Sequence, residues 1–272
     1  MRHVRLSIFS LPVVGVPVFC MAVATLLLLS APCATSAQGI FQVEGGLVFS
    51  GYNNVQVPRS GGTRFSLSDD LEVDSAPYLR LRIEWEPNAR NTFGLLVAPL
   101  TLDASGSLAT PLTFEGVTFP ADAQLDASYT FNSYRLTWRR NFEQRGPLRT
   151  GLGFTAKIRD AAISLEGGGL NSEKTNVGFV PLLHFLLGYR VSEEVELLIT
   201  GDALAAPQGR AEDVFVGILF LPESSILGRL LGSGDRASYF AGYRLVEGGA
   251  DVDAVYNFAL IHYVAFGVRI TY

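Results

Sequence analysis

The stretch YLRLRIEWE, Tyr78 to Glu86, repeats with a period of two. Leu79, Leu81, Ile83 and Trp85 fall on one side of an extended chain, and Tyr78, Arg80, Arg82, Glu84 and Glu86 on the other. A helix would scatter these residues around its circumference, so the pattern calls for a strand with one apolar and one charged face. The same alternation closes the sequence. In YVAFGVRITY, Val264, Phe266, Val268, Ile270 and Tyr272 share one side, opposite Tyr263, Ala265, Gly267, Arg269 and Thr271. Such strands suit a soluble sheet, or a barrel that meets lipid outside and holds polar groups inside.

The amino-terminal end narrows the compartment. MRHVR is basic, an apolar run extends from about Leu11 to Leu29, and CATSAQG follows with Thr35 and Ala37 at the −3 and −1 positions. These are the parts of a cleaved secretory signal over residues 1–37, with the mature chain starting at Gln38. A retained amino-terminal anchor is the alternative. Lipid attachment at Cys33 fits poorly, because Pro32 precedes it. Cys20 and Cys33 both lie in the signal, as do Met1 and Met21, and the sequence has two of each residue in all. The mature chain therefore has no disulfide scaffold, thiol nucleophile or thiolate metal site. Arg2 and Arg5 leave too, which deepens an acidic balance already at −5 and argues against a nucleic-acid partner.

Hydrophobic residues make up 48% of the chain, yet no apolar stretch after Leu29 approaches the length of a spanning helix. A secreted chain of this composition has one other way to cross a membrane, as a closed β-barrel. Period-two segments recur along it: FQVEGGLVF, YLRLRIEWEP, NTFGLLVAPLTL, SYRLTWRR, LRTGLGFTAKIRD, VGFVPLLHFLLGYR, VELLITGDAL, DVFVGILFL, ASYFAGYRLV and Val255–Tyr272. They predict an all-β, antiparallel, up-and-down transmembrane barrel of about ten strands, with eight or twelve as alternatives. Connection lengths agree. Pro87–Arg90, Glu143–Gly146 and Val191–Glu193 are tight, as periplasmic turns are, and PESSILGRLLGSGD reads as a short amphipathic helix. Tyr52–Arg64, Asp103–Leu125, Glu166–Lys174, Ala205–Glu212 and Gly248–Ala254 are the expected external loops. From Phe65 to Trp85 one parity reads Phe65, Leu67, Leu71, Val73, Leu79, Leu81, Ile83, Trp85, so this strand is expected to project beyond the bilayer.

Sorting the charges by side gives two candidate sites. The inward set comprises Glu44, Arg80, Arg82, Glu84, Arg135, Arg139, Arg149, Lys157, Arg159, His184, Glu196, Asp202, Arg244 and Arg269. In so narrow a barrel these predict a filled, ion-paired lumen, or else a narrow arginine-lined pore. Arg269 is expected to pair with Glu44 on the adjoining first strand. The external rim set comprises Asp70, Glu72, Asp74, Asp160, Arg210, Glu212, Asp213, Glu247, Asp251 and Asp253. Its carboxylates suit Ca²⁺ or Mg²⁺ chemically, but no calcium-loop spacing is present, so loop-to-loop salt bridging is the expectation, with no metal and no cofactor. His184 falls inward in mid-strand; His262 falls outward, near Tyr256 and Tyr263.

The alternating segments and the aromatic-terminated last strand resemble Gram-negative outer-membrane barrels over residues 39–272. DDLEVDSAP, FNSYRLTWRR, GFTAKIRDAAISL, GFVPLLHF, GDALAAPQGRAEDV and EGGADVDAVYNFALIHY resemble an uncharacterised group of small barrels of that class. The resemblance implies an outer-membrane location, lipid and lipopolysaccharide as surroundings, a monomer, and assembly machinery that engages the carboxyl-terminal strand. It brings no established activity. The Asp-His arrangement of the ten-stranded omptin proteases has no counterpart at recognisable spacing. Three functions stay open: a structural or surface-interaction protein, a narrow diffusion pore, and a lipid- or peptide-modifying enzyme.

Overall fold

A computed structural model describes residues 37–207, 209–225, 230 and 236–272. The expected signal peptide and most of the segment 222–235 lie outside the described residues. Ten long strands form the barrel: β1 (Gln38–Gln56), β2 (Ala76–Asn88), β3 (Asn91–Ala98, resuming as Thr101–Gly106), β4 (Leu125–Asn141) and β5 (Leu148–Gly167) come first. They are followed by β6 (Leu170–Arg190), β7 (Val195–Ala206), β8 (Gly209–Phe220), β9 (Ala237–Val252) and β10 (Val255–Thr271). Each pairs antiparallel with its sequence neighbour, and β10 closes on β1 from Ile40↔Thr271 to Gln56↔Tyr256. Closure pairs each strand with two neighbours, as an all-strand membrane crossing requires, although β6 and β7 part beyond Leu183↔Ala203. β3 is interrupted at Pro99, which has no N–H to contribute to a ladder.

The alternation sets the two faces as expected. Leu79, Trp85, Leu136, Phe154, Leu183, Val216 and Phe266 are exposed on the outside, and Glu44, Arg80, Arg135, Thr155, His184 and Asp202 are buried inside. Trp85, Phe93, Trp138, Phe142, Tyr189, Phe220 and Tyr272 are exposed aromatics close to the short-turn end, where an interfacial girdle belongs.

The external end departs from the expected loops. β5 and β6 stay paired to Gly167↔Leu170 and turn through Gly168 and Gly169, at φ 58° and 76°. Two consecutive left-handed residues make the tight hairpin turn whose twist matches the strands. β7 and β8 likewise pair out to Ala206↔Gly209, and β9 and β10 to Val252↔Val255. Continued pairing satisfies backbone groups that a loop would leave to water, so three expected loops are strand extensions.

The other two connections fold back as a cap. Leu112–Phe114 and Val117–Phe119 form a hairpin, and Phe65–Ser66 and Glu72–Val73 pair with β1 and with the outer half of β3. Phe65, Leu67, Leu71, Leu112, Phe114 and Phe119 are all buried there, with Val55, Val57, Leu125, Ile163 and Leu165. The run from Phe65 to Trp85 is therefore not one projecting strand. Its outer part bends twice, and its apolar residues face this external core instead of lipid.

Candidate functional site

The centre of the lumen is a balanced lattice of three carboxylates and three guanidinium groups. Asp213 on β8 accepts from Arg80 of β2 at 2.8 Å, Arg135 of β4 at 2.6 Å and Arg244 of β9 at 2.5 Å. Glu44 on β1 receives Arg244 through two bonds, Nε at 2.8 Å and Nη2 at 2.7 Å, and the Tyr78 hydroxyl at 3.2 Å. Asp202 on β7 receives Arg135 at 2.7 Å and the Thr155 hydroxyl at 2.6 Å. Arg135 Nε also donates to the Ser133 hydroxyl at 2.9 Å. Every member is at least nine-tenths buried. Charges taken this far from water are tolerated only when paired and hydrogen-bonded, and here opposite walls of the barrel supply the pairs.

Two looser layers lie nearer the short turns. Glu84 faces Arg82, Arg139 and Arg269 at 3.6–3.9 Å, and Glu196 pairs with Arg149 at 2.5 Å. His184 Nδ1 sits 2.8 Å from Asp202 Oδ1, and its Nε2 is buried without a partner among the described residues. It fronts a void of about 50 Å³ bordered by Arg82, Glu84, Arg139 and Arg269. That space suits ordered water bridging polar groups.

Above the lattice lies a larger cavity, about 400 Å³, between β5–β6 and β7–β10. Its charged lining residues are Lys157, Arg159, Lys174 and Arg210.

No family model matches the sequence, and no curated protein matches it. Among solved structures, the outer membrane protease OmpT from Escherichia coli superposes with a TM-score of 0.52 at 11% identity, covering 89% of this chain and 99% of that one. The fold is that of an outer-membrane β-barrel. The translocator domain of the autotransporter NalP from Neisseria meningitidis gives a TM-score of 0.38 at 11% identity, covering 94% of this chain and 95% of that one. Ail of Yersinia pestis gives 0.35 at 9% identity, covering 86% and 99%. At these identities the likeness is one of fold, and proteolysis is said of OmpT alone.

Within this outer-membrane barrel the inward set falls where its parity puts it. Glu44, Arg80, Arg82, Glu84, Arg135, Arg139, His184, Asp202, Arg244 and Arg269 share the lumen network, and Lys157 and Arg159 line the cavity above it. Asp213 corrects the expectation. It is not a rim residue but the hub of the lattice, because β8 begins at Gly209 and carries Asp213 well down the inner wall. Arg269 is a second correction. It pairs with Glu84, since the register sets Gln42 beside both Arg269 and Arg82 and leaves Glu44 opposite Gly267. An Asp-His contact inside the lumen is a further finding. His184 and Asp202 are eighteen residues apart but face each other across β6 and β7. Thr155 and the lattice hold this pair from the far side, which makes it part of the packing.

The remaining rim residues do not converge. Arg210 pairs with Glu247 and Tyr52, Asp251 takes Arg59 at 2.6 Å, Asp160 takes Asn132 at 3.3 Å, and Asp70 accepts from the Ser66 backbone at 2.7 Å. Glu72, Asp74 and Asp253 are solvated, and Glu212 stands opposite Glu247 on the outer face. Among the described residues no group of three carboxylates or histidines is gathered as a cation site. His262 bonds the Tyr243 hydroxyl on the outer surface.

Proposed function

We propose that this outer-membrane barrel is a non-conducting structural and surface-recognition protein, with its binding surface at the external end and lipid or lipopolysaccharide as its partner. The observation that carries this reading is the lattice of Glu44, Asp202 and Asp213 with Arg80, Arg135 and Arg244, which spans the lumen from wall to wall. An ion pore needs sites that bind weakly enough to release, whereas these groups satisfy one another. The external cap of Phe65, Phe114 and Phe119 packs an apolar core at the outer end.

The wild-type barrel, reconstituted in a planar bilayer, is expected to give no unitary steps. Removing the six lattice members together leaves none of them buried without its partner. The variant Glu44→Ala, Arg80→Ala, Arg135→Ala, Asp202→Ala, Asp213→Ala, Arg244→Ala is therefore expected to fold and to conduct. Steps from the wild type of the same size as the variant's would overturn the closed-lumen reading.

A further inference from the structure

We infer that the external cavity is a lateral binding site for an amphiphile with a phosphate-bearing headgroup from the outer leaflet: its phosphate meets Lys157 and Arg159, and its chains lie against Val177, Phe179 and Pro181 at an open seam between β6 and β7. The inference deepens the surface-recognition reading and rests on it.

The seam follows from unequal strand lengths. β6 pairs with β7 from Arg190↔Glu196 only as far as Leu183↔Ala203, whereas on its other side it pairs with β5 out to Leu170. Pro181, with no N–H to offer, stands two residues past the last pair. The cavity of about 400 Å³ touches Leu204 and Ala206, on the inner face of β7, and also Phe179 and Pro181, on the outer face of β6. The cavity thus borders the stretch of β6 that lies beyond its last pair with β7. At its lip Val177 and Phe179 are 70% and 64% exposed, toward the lipid side.

The cavity lining is cationic, and among the described residues no carboxylate is part of it. Lys174 and Arg210 are matched from outside it, by Glu115 at 2.9 Å and by Glu247. Lys157 is 3% exposed, and among the described residues its ammonium has the Phe131 ring at 4.6 Å but neither a carboxylate nor a hydrogen-bond acceptor. Arg159 donates to Asn176 through one nitrogen, while its Nε is buried and has no partner among the described residues. Burying a cation without an anion is costly. The buried Lys157 and the half-buried Arg159, lining one cavity, make a site complementary to a phosphate. The apolar surround of Phe131, Ile163, Val180 and Leu204 is what a free anion would not need and an acyl chain would.

The test titrates the full mature barrel, in a non-ionic detergent, with phosphatidic acid, diacylglycerol or inorganic phosphate, and counts bound ligand by native mass spectrometry. One phosphatidic acid is expected to bind at least about tenfold more tightly than either other probe, the scale of a charge-assisted contact. Lys157→Gln is expected to remove that preference and Lys157→Arg to keep it. Phe179→Asp, with the lysine intact, is expected to weaken both lipids and to leave inorganic phosphate unchanged. The gel shift between unheated and boiled samples confirms that each variant folds. Equal binding of phosphatidic acid and diacylglycerol, or wild-type affinity in Lys157→Gln, overturns the phosphate site. Inorganic phosphate binding as tightly as phosphatidic acid overturns the lipid assignment. A wild-type barrel that is silent in bilayers yet indifferent to phosphatidic acid rejects this inference alone, whereas channel steps reject the reading beneath it.

Discussion

Asp213→Asn is expected to destabilise the folded barrel by about 3–5 kcal/mol, the cost of breaking a buried ion pair from one side. The substitution keeps the shape of the side chain and removes its charge. Arg80, Arg135 and Arg244 all donate to this carboxylate at 2.5–2.8 Å. Glu44 and Asp202 then face three guanidinium groups by themselves, in a lumen whose members are nearly dry. Asp251→Asn is the matched control, because its pair with Arg59 is exposed and such pairs contribute little. Urea unfolding in detergent, followed by loss of the fast-migrating unheated species, measures both. Equal midpoints for the two variants would show that the lattice is not what holds the lumen.

The strand count and the inward set were legible in the sequence because both depend on period two alone. Arg80, Arg82 and Glu84 alternate with Leu81, Ile83 and Trp85, and that fixes their side whatever the rest of the chain does. Which charges meet is another matter. Arg269 reaches Glu84, and Asp213 gathers arginines from β2, β4 and β9. Those pairings depend on the tilt of the strands and on how far each one climbs. DVFVGILFL is apolar on both faces, so it gave no parity to carry Asp213 inward, and the acidic run before it read as loop. The cap left a signal that composition hid. Leu112 and Phe114, then Val117 and Phe119, alternate around Glu115–Gly116, which is hairpin patterning inside a stretch long enough to pass for a loop. The seam between β6 and β7 had no signal beyond Pro181, since it comes from two neighbouring hairpins ending at different heights.

The cap is expected to detach when Phe114 is replaced by alanine, while the barrel beneath it survives. Phe114 is fully buried, with its ring 6.3 Å from Phe65 in an edge-on arrangement. Its hairpin is tied down by Thr63 N–H to Thr113 O at 2.8 Å, Thr113 N–H to Thr63 Oγ1 at 2.9 Å, Glu115 N–H to Val57 O at 2.9 Å, Ser172 Oγ to Phe114 O at 3.2 Å and Lys174 to Glu115 at 2.9 Å. These bonds are few and lie near water, so the buried phenylalanines carry most of the attachment. Truncating one costs about 3–5 kcal/mol. Charged to this local unit, that raises its opened population by roughly two to four orders of magnitude, which proteolysis reads directly when reclosing is fast. A protease that cleaves after glutamate should therefore cut Phe114→Ala at Glu115 far faster than wild type, with the gel shift of the barrel unchanged before cleavage. The lattice of Asp213 and its arginines lies in the membrane-spanning wall and does not depend on the hairpin, so the variant should also stay silent in a bilayer. Equal cleavage rates would mean that the cap is held by something other than its aromatic core. A lost gel shift would mean that cap and barrel unfold as one unit.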